Sequence, residues 1–386
     1  MITLSYPFIT PGVSHVGVGA LGNLEPELKR LGASQVLLIC DPGIVKAGLA
    51  AQVAELLRKG GIQFELFSEV ELEPSTDNVD HAADAVKSGR FDAIVGLGGG
   101  SSLDIAKGAA VLAANGGRMR DYMGIEQIPR PGLPTVLIPT TAGTGAEVTL
   151  NAIYALRDEQ VKKGVVSRYL RAAVAIVDPE LTLSCPPAVT AATGMDALVH
   201  AIESYTAVKA TIHTDLYALE AIRLIGRSLR RAVSLGSDIK ARTDMSWGSY
   251  LAGISLANAG VGAVHALAYP LGGRFHVSHG VSNSLLLPYV LRFNIIGNVD
   301  KFAQVASALG EPVAGKSPRD AAMAAKDAVL SLSQDIGIPQ RLSEVGVTEN
   351  DVASLTDSAI EQTRLLSNNP RVMTKDDIRR IYTEAL

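Results

Sequence analysis

The sequence predicts a two-part protein: an α/β domain on a parallel sheet over residues 1–182, then an all-α domain over 183–386. Three observations predict it. Up to Asp178, short β-branched runs alternate with amphipathic stretches, the pattern of βαβ units. After Pro186 and Pro187 the apolar spacing is helical from about residue 188 almost to Leu386. The chain has 386 residues, 47% apolar and 19% charged, which suffices for two domains and a large buried core.

Taken in order, the strand candidates are VLLIC (36–40), QFELF (63–67), FDAIVGL (91–97), TVLIP (135–139) and VAIVD (174–178). Helical segments near 44–59, 76–88 and 101–114 separate the first four, so both sheet faces are expected to be covered. The segment EVTLNAIYALRDEQVKKGVVS breaks the pattern: two apolar runs flank a charged turn at 157–163, which predicts a hairpin. Helices are expected over 213–233, 299–309, 319–336 and 349–366. The arginines 227, 230 and 231 read as one solvated helix face. No Asp, Glu, Lys or Arg occurs between Asp244 and Arg274, a run long enough to span a bilayer. It is laced with Ser246, Ser249, Ser255, Asn258, His265, Pro270 and several glycines, so it predicts a helix buried at the centre of the helical domain.

The net charge of −4 is too small to imply a nucleic-acid or membrane-surface partner. Two cysteines, Cys40 and Cys185, make no disulfide framework and point to a reducing cytoplasm. The opening MITLSYPFITPG lacks the basic and apolar regions of an export signal. A cytoplasmic globular protein is the expectation.

GLGGGSSLDIAKG (96–108) runs from a strand through glycines into a helix, with Ser101 and Ser102 placed to cap a helix starting near Leu103. Backbone N–H groups at such a turn make an anion cradle suited to a pyrophosphate. The motif does not fit the P-loop GxxxxGK[ST], and it follows the third predicted strand, whereas the usual dinucleotide fingerprint follows the first. A tight structural turn is the alternative. PTTAGTGAEVT (139–149) leaves a second strand with small residues and hydroxyls, and two such loops converge on one crevice in an open parallel sheet. Asp41, just past VLLIC, stands where a carboxylate accepts hydrogen bonds from an adenosine ribose; an ordinary turn residue before Pro42 and Gly43 is the other reading.

In GMDALVHAIESY (194–205), Asp196 and His200 are spaced i, i+4 and project from one helical face. VHALAYPLGGRFHVSHG adds His265 and His279, with His276 between them. Two or three histidines with one carboxylate form a borderline N/O set suited to Fe(II), Zn(II), Co(II), Ni(II) or Mn(II), whereas calcium wants more oxygens. His15, His81 and His213 lack such surroundings and read as structural or exposed.

The segments GGGSSLDIAK, PTTAGTGAEVT, GMDALVHAIESY, HALAYPLGGRFHVSHG and NNPRVMTKDDIRRIY resemble the iron-containing, metal-dependent (group III) alcohol dehydrogenase family, in family order and across nearly the whole chain. The resemblance implies a Rossmann-like dinucleotide-binding domain and an all-α metal-binding domain with catalysis in the cleft between them. It implies Asp196, His200, His265 and His279 as the metal ligands, usually for Fe(II). It matches Gly98, Gly99, Gly100, Ser101 and Asp104 to the pyrophosphate turn, and Thr140, Thr141, Gly143 and Thr144 to the second cofactor loop. Asn151 and Lys163 match cofactor-contacting positions in the hairpin; Asp41, Ser102 and Thr149 complete the expected NAD-binding set. Many members carry a second histidine four residues after the third ligand; Tyr269 stands there, so Tyr269 or His276 must serve the proton path. Glu73 replaces a small Asn near the cofactor, and Leu256 and Leu365 fall at positions that line substrate pockets in relatives.

The reaction implied is reversible interconversion of a primary alcohol or diol and its aldehyde by hydride exchange with NAD(H), in a homodimer or higher homo-oligomer. Hydroxyacid–oxoacid transhydrogenation, maleylacetate-type reduction and a non-enzymatic nucleotide sensor are the alternatives.

Overall fold

The computed structural model describes residues 6–158 and 161–386. Its strands are β1 (Val13–Val16), β2 (Gln35–Ile39), β3 (Gln63–Phe67), β4 (Ala93–Gly98), β5 (Gly124–Ile125), β6 (Thr135–Pro139), β7 (Asn151–Leu156), β8 (Val161–Val166) and β9 (Val174–Val177). Six of them make one parallel sheet in the order β1-β9-β6-β4-β2-β3. All five predicted strands are present. The edge strand β1 was not predicted: VSHV is half-buried along its length and carries no apolar run to betray it.

The first helices are α1 (Leu24–Arg30), α2 (Pro42–Lys46), α3 (Leu49–Lys59), α4 (Thr76–Ser88) and α5 (Gly100–Asn115). Successive strand residues point to opposite faces. Val36 and Leu38 therefore pack on Leu24, Leu28, Val53 and Leu57 of α1 and α3. Leu37 and Ile39 pack on Val79, Ala83, Ile105 and Ala109 of α4 and α5. The helix expected over 44–59 is two, because Gly48 adopts a left-handed φ of 79° between them. The chain leaves β2 and β4 toward opposite faces, so their C-terminal ends open a crevice. The predicted hairpin is β7–β8, antiparallel, with Tyr154 opposite Lys163 and Ala155 opposite Lys162.

A 3-10 turn at Pro179–Thr182 leads into the helical half: α6 (Pro187–Thr206), α7 (Ile212–Ser234), α8 (Ile239–Ala259), α9 (Ala263–Phe275), α10 (His279–Asn294), α11 (Val299–Ala308), α12 (Pro318–Asp335), α13 (Val352–Ile360), α14 (Thr363–Leu366) and α15 (Lys375–Ala385). One continuous apolar core joins them, from Leu198 and Ile202 of α6 to Ile381 and Tyr382 of α15. The helix expected over 349–366 is likewise broken, into a 3-10 turn, α13 and α14. The uncharged run is buried as expected but is two helices, α8 and α9, bent by 103°. Gly260 makes the break at φ 75°, and the Asn368 amide donates to the Ala259 and Val261 carbonyls on either side. Among the described residues no single helix is long and apolar enough to cross a membrane. Arg227, Arg230 and Arg231 pair with Asp244, Asp335 and Asp238 at 2.6–2.7 Å on an exposed face.

Candidate active site between the sheet and the helices

Three helices deliver four side chains to one point. Asp196 and His200 lie one turn apart on α6, His265 in the first turn of α9, and His279 opens α10. One potential ligand atom from each lies within 4.8 Å of the others. Asp196, His200 and His265 are buried, and the His279 side chain is 37% exposed. Gly280 allows this meeting: a Cβ there would sit 2.3 Å from the Ala192 carbonyl of α6.

The electrostatics prepare these groups as ligands. Desolvation among the neighbouring rings lowers both His200 and the partly exposed His279 below the ordinary imidazole range, against the attraction of Asp196. Burial alone would raise Asp196, but His200, His279, His265 and the Asn283 amide together hold it below the usual range. At neutral pH these two imidazoles carry free lone pairs and the carboxylate its charge, the states a cation requires. Glu203 orients the third imidazole: its Oε2 lies 2.6 Å from His265 Nδ1 while its Oε1 accepts from the Val264 N–H at 2.7 Å. That leaves His265 Nε2 facing the cluster. The Asn283 amide nitrogen lies 2.7 Å from Asp196 Oδ1, 3.2 Å from His265 Nε2 and 3.1 Å from His279 Nε2. One carboxylate and three imidazoles, all but His279 buried and His265 held from behind by Glu203, fit a borderline divalent metal.

The crevice lies beside this cluster. Gly98, at φ 145°, turns β4 into α5, and a Cβ there would meet Ser102 Oγ at 2.6 Å. Helix α5 starts at Gly100 with Gly99 before it and no side-chain cap, so its first N–H groups are left for a ligand. The two serines do not cap it, contrary to expectation. Ser101 Oγ donates to the Leu72 carbonyl at 2.6 Å and Ser102 Oγ to Asp41 Oδ2 at 3.1 Å, tying the turn to neighbouring loops. Asp41 stands at the crevice between β2 and β4; its Oδ1 caps α2, accepting from Gly43 N at 2.9 Å and Ile44 N at 3.2 Å.

The loop after β6 touches both halves. Thr140 N donates to the Gly98 carbonyl at 3.0 Å, and Thr141 faces Gly99. Thr144 packs on Gly100, and Gly143 packs on Thr193 of α6, just ahead of Asp196. The glycine turn and α6 are therefore joined through one loop. Asp104, Thr149 and Asn151 converge behind it on the buried Lys107. In the hairpin Lys163 is exposed, whereas the half-buried Lys162 bonds Glu73 at 2.7 Å and approaches Gly272 of α9. Tyr269 faces the cluster, its ring 6.4 Å from that of His265 and 6.1 Å from that of His279. His276 is exposed in the α9–α10 loop at φ 55° and has no hydrogen bond to the four residues.

Sequence reasoning missed Glu203, Asn283, Lys107 and Lys162. The first two were within reach: Glu203 lies two helical turns after Asp196 and Asn283 one turn after His279, on the same faces. A lysine in a helix gives no sign that it is buried.

Residues 11–179 match the model of iron-containing alcohol dehydrogenases, and residues 190–386 that of the C-terminal part of the same family. The chain is 47% identical over 380 residues to long-chain-alcohol dehydrogenase 1 of Geobacillus thermodenitrificans (strain NG80-2), covering 98% of this chain and 96% of that protein. It is 40% identical over 379 residues to the NAD-dependent methanol dehydrogenase of Bacillus methanolicus, covering 98% and 99%. The crystal structure of a 1,3-propanediol oxidoreductase superposes with a TM-score of 0.97 at 40% identity, covering 99% of this chain and all of that one.

Proposed function

The chain belongs to the iron-containing alcohol dehydrogenase family, and on that premise we propose that it interconverts a primary alcohol or diol and its aldehyde, with NAD(H) as hydride carrier and Fe(II) as resident ion. One observation carries the reading: Asp196, His200, His265 and His279 share a point beside the loop that also contacts the glycine turn. The names of the relatives, which act on methanol, long-chain alcohols or 1,3-propanediol, support the substrate class.

When bound, the ion lends positive charge to the substrate oxygen while the nicotinamide gives or takes the hydride. The protein's part is to hold and orient. The four ligands fix the ion, and Glu203 keeps the His265 ring turned so that Nε2 faces inward. The N–H groups around Gly99 and Gly100 take the pyrophosphate, and Asp41 takes the adenosine ribose. Thr141 and Thr144 hold the dinucleotide along the loop toward α6, with Lys162 of the hairpin beside Gly272 of α9 and Lys163 exposed next to it. Tyr269, its ring 6.4 Å from that of His265 and 6.1 Å from that of His279, holds a protonated hydroxyl beside the cluster, the burial-raised value of that hydroxyl keeping the proton on Oη. His276, exposed in its loop, is left the solvent end of the proton path.

We place the boundary between the two domains at 182/183, in the stretch between the 3-10 turn and α6. Free Cys40 and Cys185 support a cytoplasmic setting. The expected assembly is a homodimer or higher homo-oligomer, for which exposed Val208, Ile212 and Leu216 offer apolar surface. The test is metal analysis of the purified protein followed by NADH oxidation with a panel of short, long and hydroxylated aldehydes. Iron-dependent turnover is expected. Tight NADH binding without turnover of any aldehyde would instead mark a nucleotide sensor.

A further inference from the structure

Helix α9 carries His265 in its first turn, and that turn is capped from outside the helix. Gly262, just before it, has no side chain to accept the first N–H groups, and a Cβ there would lie 3.2 Å from Asn369 Oδ1 and 3.3 Å from Glu203 Oε1. Those two oxygens cap the helix instead. Glu203 accepts from the Val264 N–H at 2.7 Å, and Asn369 Oδ1 from the Ala263 N–H at 3.4 Å. Asn369 lies between α14 and α15, 106 residues from Ala263 in the chain. It is buried, and its amide is fully engaged. Its Oδ1 also accepts from Asn294 Nδ2 at 2.8 Å, while its Nδ2 donates to Asn294 Oδ1 at 2.8 Å and to the Arg371 carbonyl at 2.6 Å.

The neighbouring residues extend the clasp. Asn368, which bridges the Gly260 bend, also accepts from the Val208 N–H at 2.9 Å and the Lys209 N–H at 3.2 Å, just past the end of α6. Arg371 donates to the Phe293 carbonyl at 2.9 Å and lies over that ring, 3.9 Å from its centre. Residues 368–371 therefore tie together the end of α6, the start of α9 and the end of α10, the three helices that bear Asp196, His200, His265 and His279.

We propose that Asn369, held by its reciprocal amide pair with Asn294, is a positioning residue for the metal: it caps α9 and so sets the backbone from which His265 reaches the other ligands. A buried amide network with its donors and acceptors filled is rigid, and Ala263 stands two residues before His265. Glu203 orients the imidazole ring, whereas Asn369 fixes the helix start that carries it.

The proposal rests on the reading that the four residues bind a metal, and the test separates the two. Co(II) is the probe: such a donor set accepts it, and its visible bands report coordination geometry. Co(II) affinity, by chelator competition, and the visible spectrum are measured for the wild type, Asn369→Ala, Asn294→Ala, the double variant Asn294→Leu/Asn369→Leu and Val305→Ala. Replacing both amides by apolar groups of similar shape leaves neither amide unpaired, so the double variant keeps the test open if Asn369→Ala fails to fold. Val305 is fully buried on α11 and controls for simple loss of stability. The expected results are about tenfold weaker Co(II) binding with displaced bands in the double variant and in folded Asn369→Ala, a smaller loss in Asn294→Ala, which retains the cap, and wild-type values in Val305→Ala. Wild-type affinity and bands in the double variant, or an equal change in Val305→Ala, would overturn the positioning role. A wild type that binds no Co(II) at all would overturn the underlying metal reading instead.

Discussion

The imidazole of His265 shows what one neighbouring carboxylate contributes. Glu203 bonds its Nδ1 and the adjacent backbone N–H together, so ring and helix start are fixed as one unit. Glu203→Gln should therefore lower metal affinity by about 10–100-fold, whereas His265→Ala should remove most bound metal and turnover with the fold retained. Metal titration of both variants checks this, and equal metal content in all three proteins would dismiss the pair from the site. Asp41 bears on cofactor choice. NADP places a phosphate where NAD has a ribose hydroxyl, and two like charges about 4 Å apart repel by roughly 4 kcal/mol at an intermediate dielectric. Even a quarter of that gives a several-fold preference for NAD at about 1.4 kcal/mol per decade. Asp41→Ser should relax the preference, read as the ratio of kcat/KM values for the two cofactors; an unchanged ratio counts against the role. Residues of this kind differ in how visible they were. Asp196 and His200 announced themselves by i, i+4 spacing and Glu203 shares their face of α6, but its partner His265 arrives from α9, 62 residues on.

Among the elements, the turn from β4 into α5 is the most exacting. Gly98 has no room for a Cβ, whereas a Cβ at Gly99 meets only Thr141, at 3.6 Å, across the cradle. Gly99→Val should thus fold and keep its metal yet weaken NADH binding by an order of magnitude, measured by titration. An unchanged affinity would place the phosphate cradle elsewhere. The strands that line this crevice were legible because central strands buried on both faces read as apolar runs, as in VLLIC and TVLIP. The edge strand β1 was not, since VSHV mixes a serine and a histidine into its four residues. The α8–α9 bend escaped for a different reason: its cause is the Asn368 amide, which bonds the carbonyls flanking Gly260 from over 100 residues away. The serines after the glycine turn had cap chemistry, but neighbouring loops claimed their hydroxyls first.

At the scale of the whole molecule, the two halves meet over a buried acid. Glu147 is 2% exposed and lies against Asp178, Ser246 and Ser249, between the sheet and α8. Burial raises its carboxyl from the ordinary 4.5 to about 7. Between those values the folded protein keeps a proton that the unfolded chain has released, so stability falls as pH rises. The loss is complete above about pH 7 and on the order of 3 kcal/mol. Glu147→Gln should therefore melt higher than wild type at pH 8 and close to it at pH 5; a difference independent of pH would show that Glu147 is not buried as a neutral acid. The same junction brings the glycine turn and the loop after β6 to α6, and there the proposed function stands or falls. The direct measurement is transfer of deuterium to an aldehyde from NADH with both C4 hydrogens of the nicotinamide replaced by deuterium, followed by mass spectrometry of the alcohol. The account predicts one deuterium on the carbinol carbon with the metal-loaded wild type and none with His265→Ala. Labelled alcohol at the wild-type rate from His265→Ala, or unlabelled alcohol from the wild type, would contradict it.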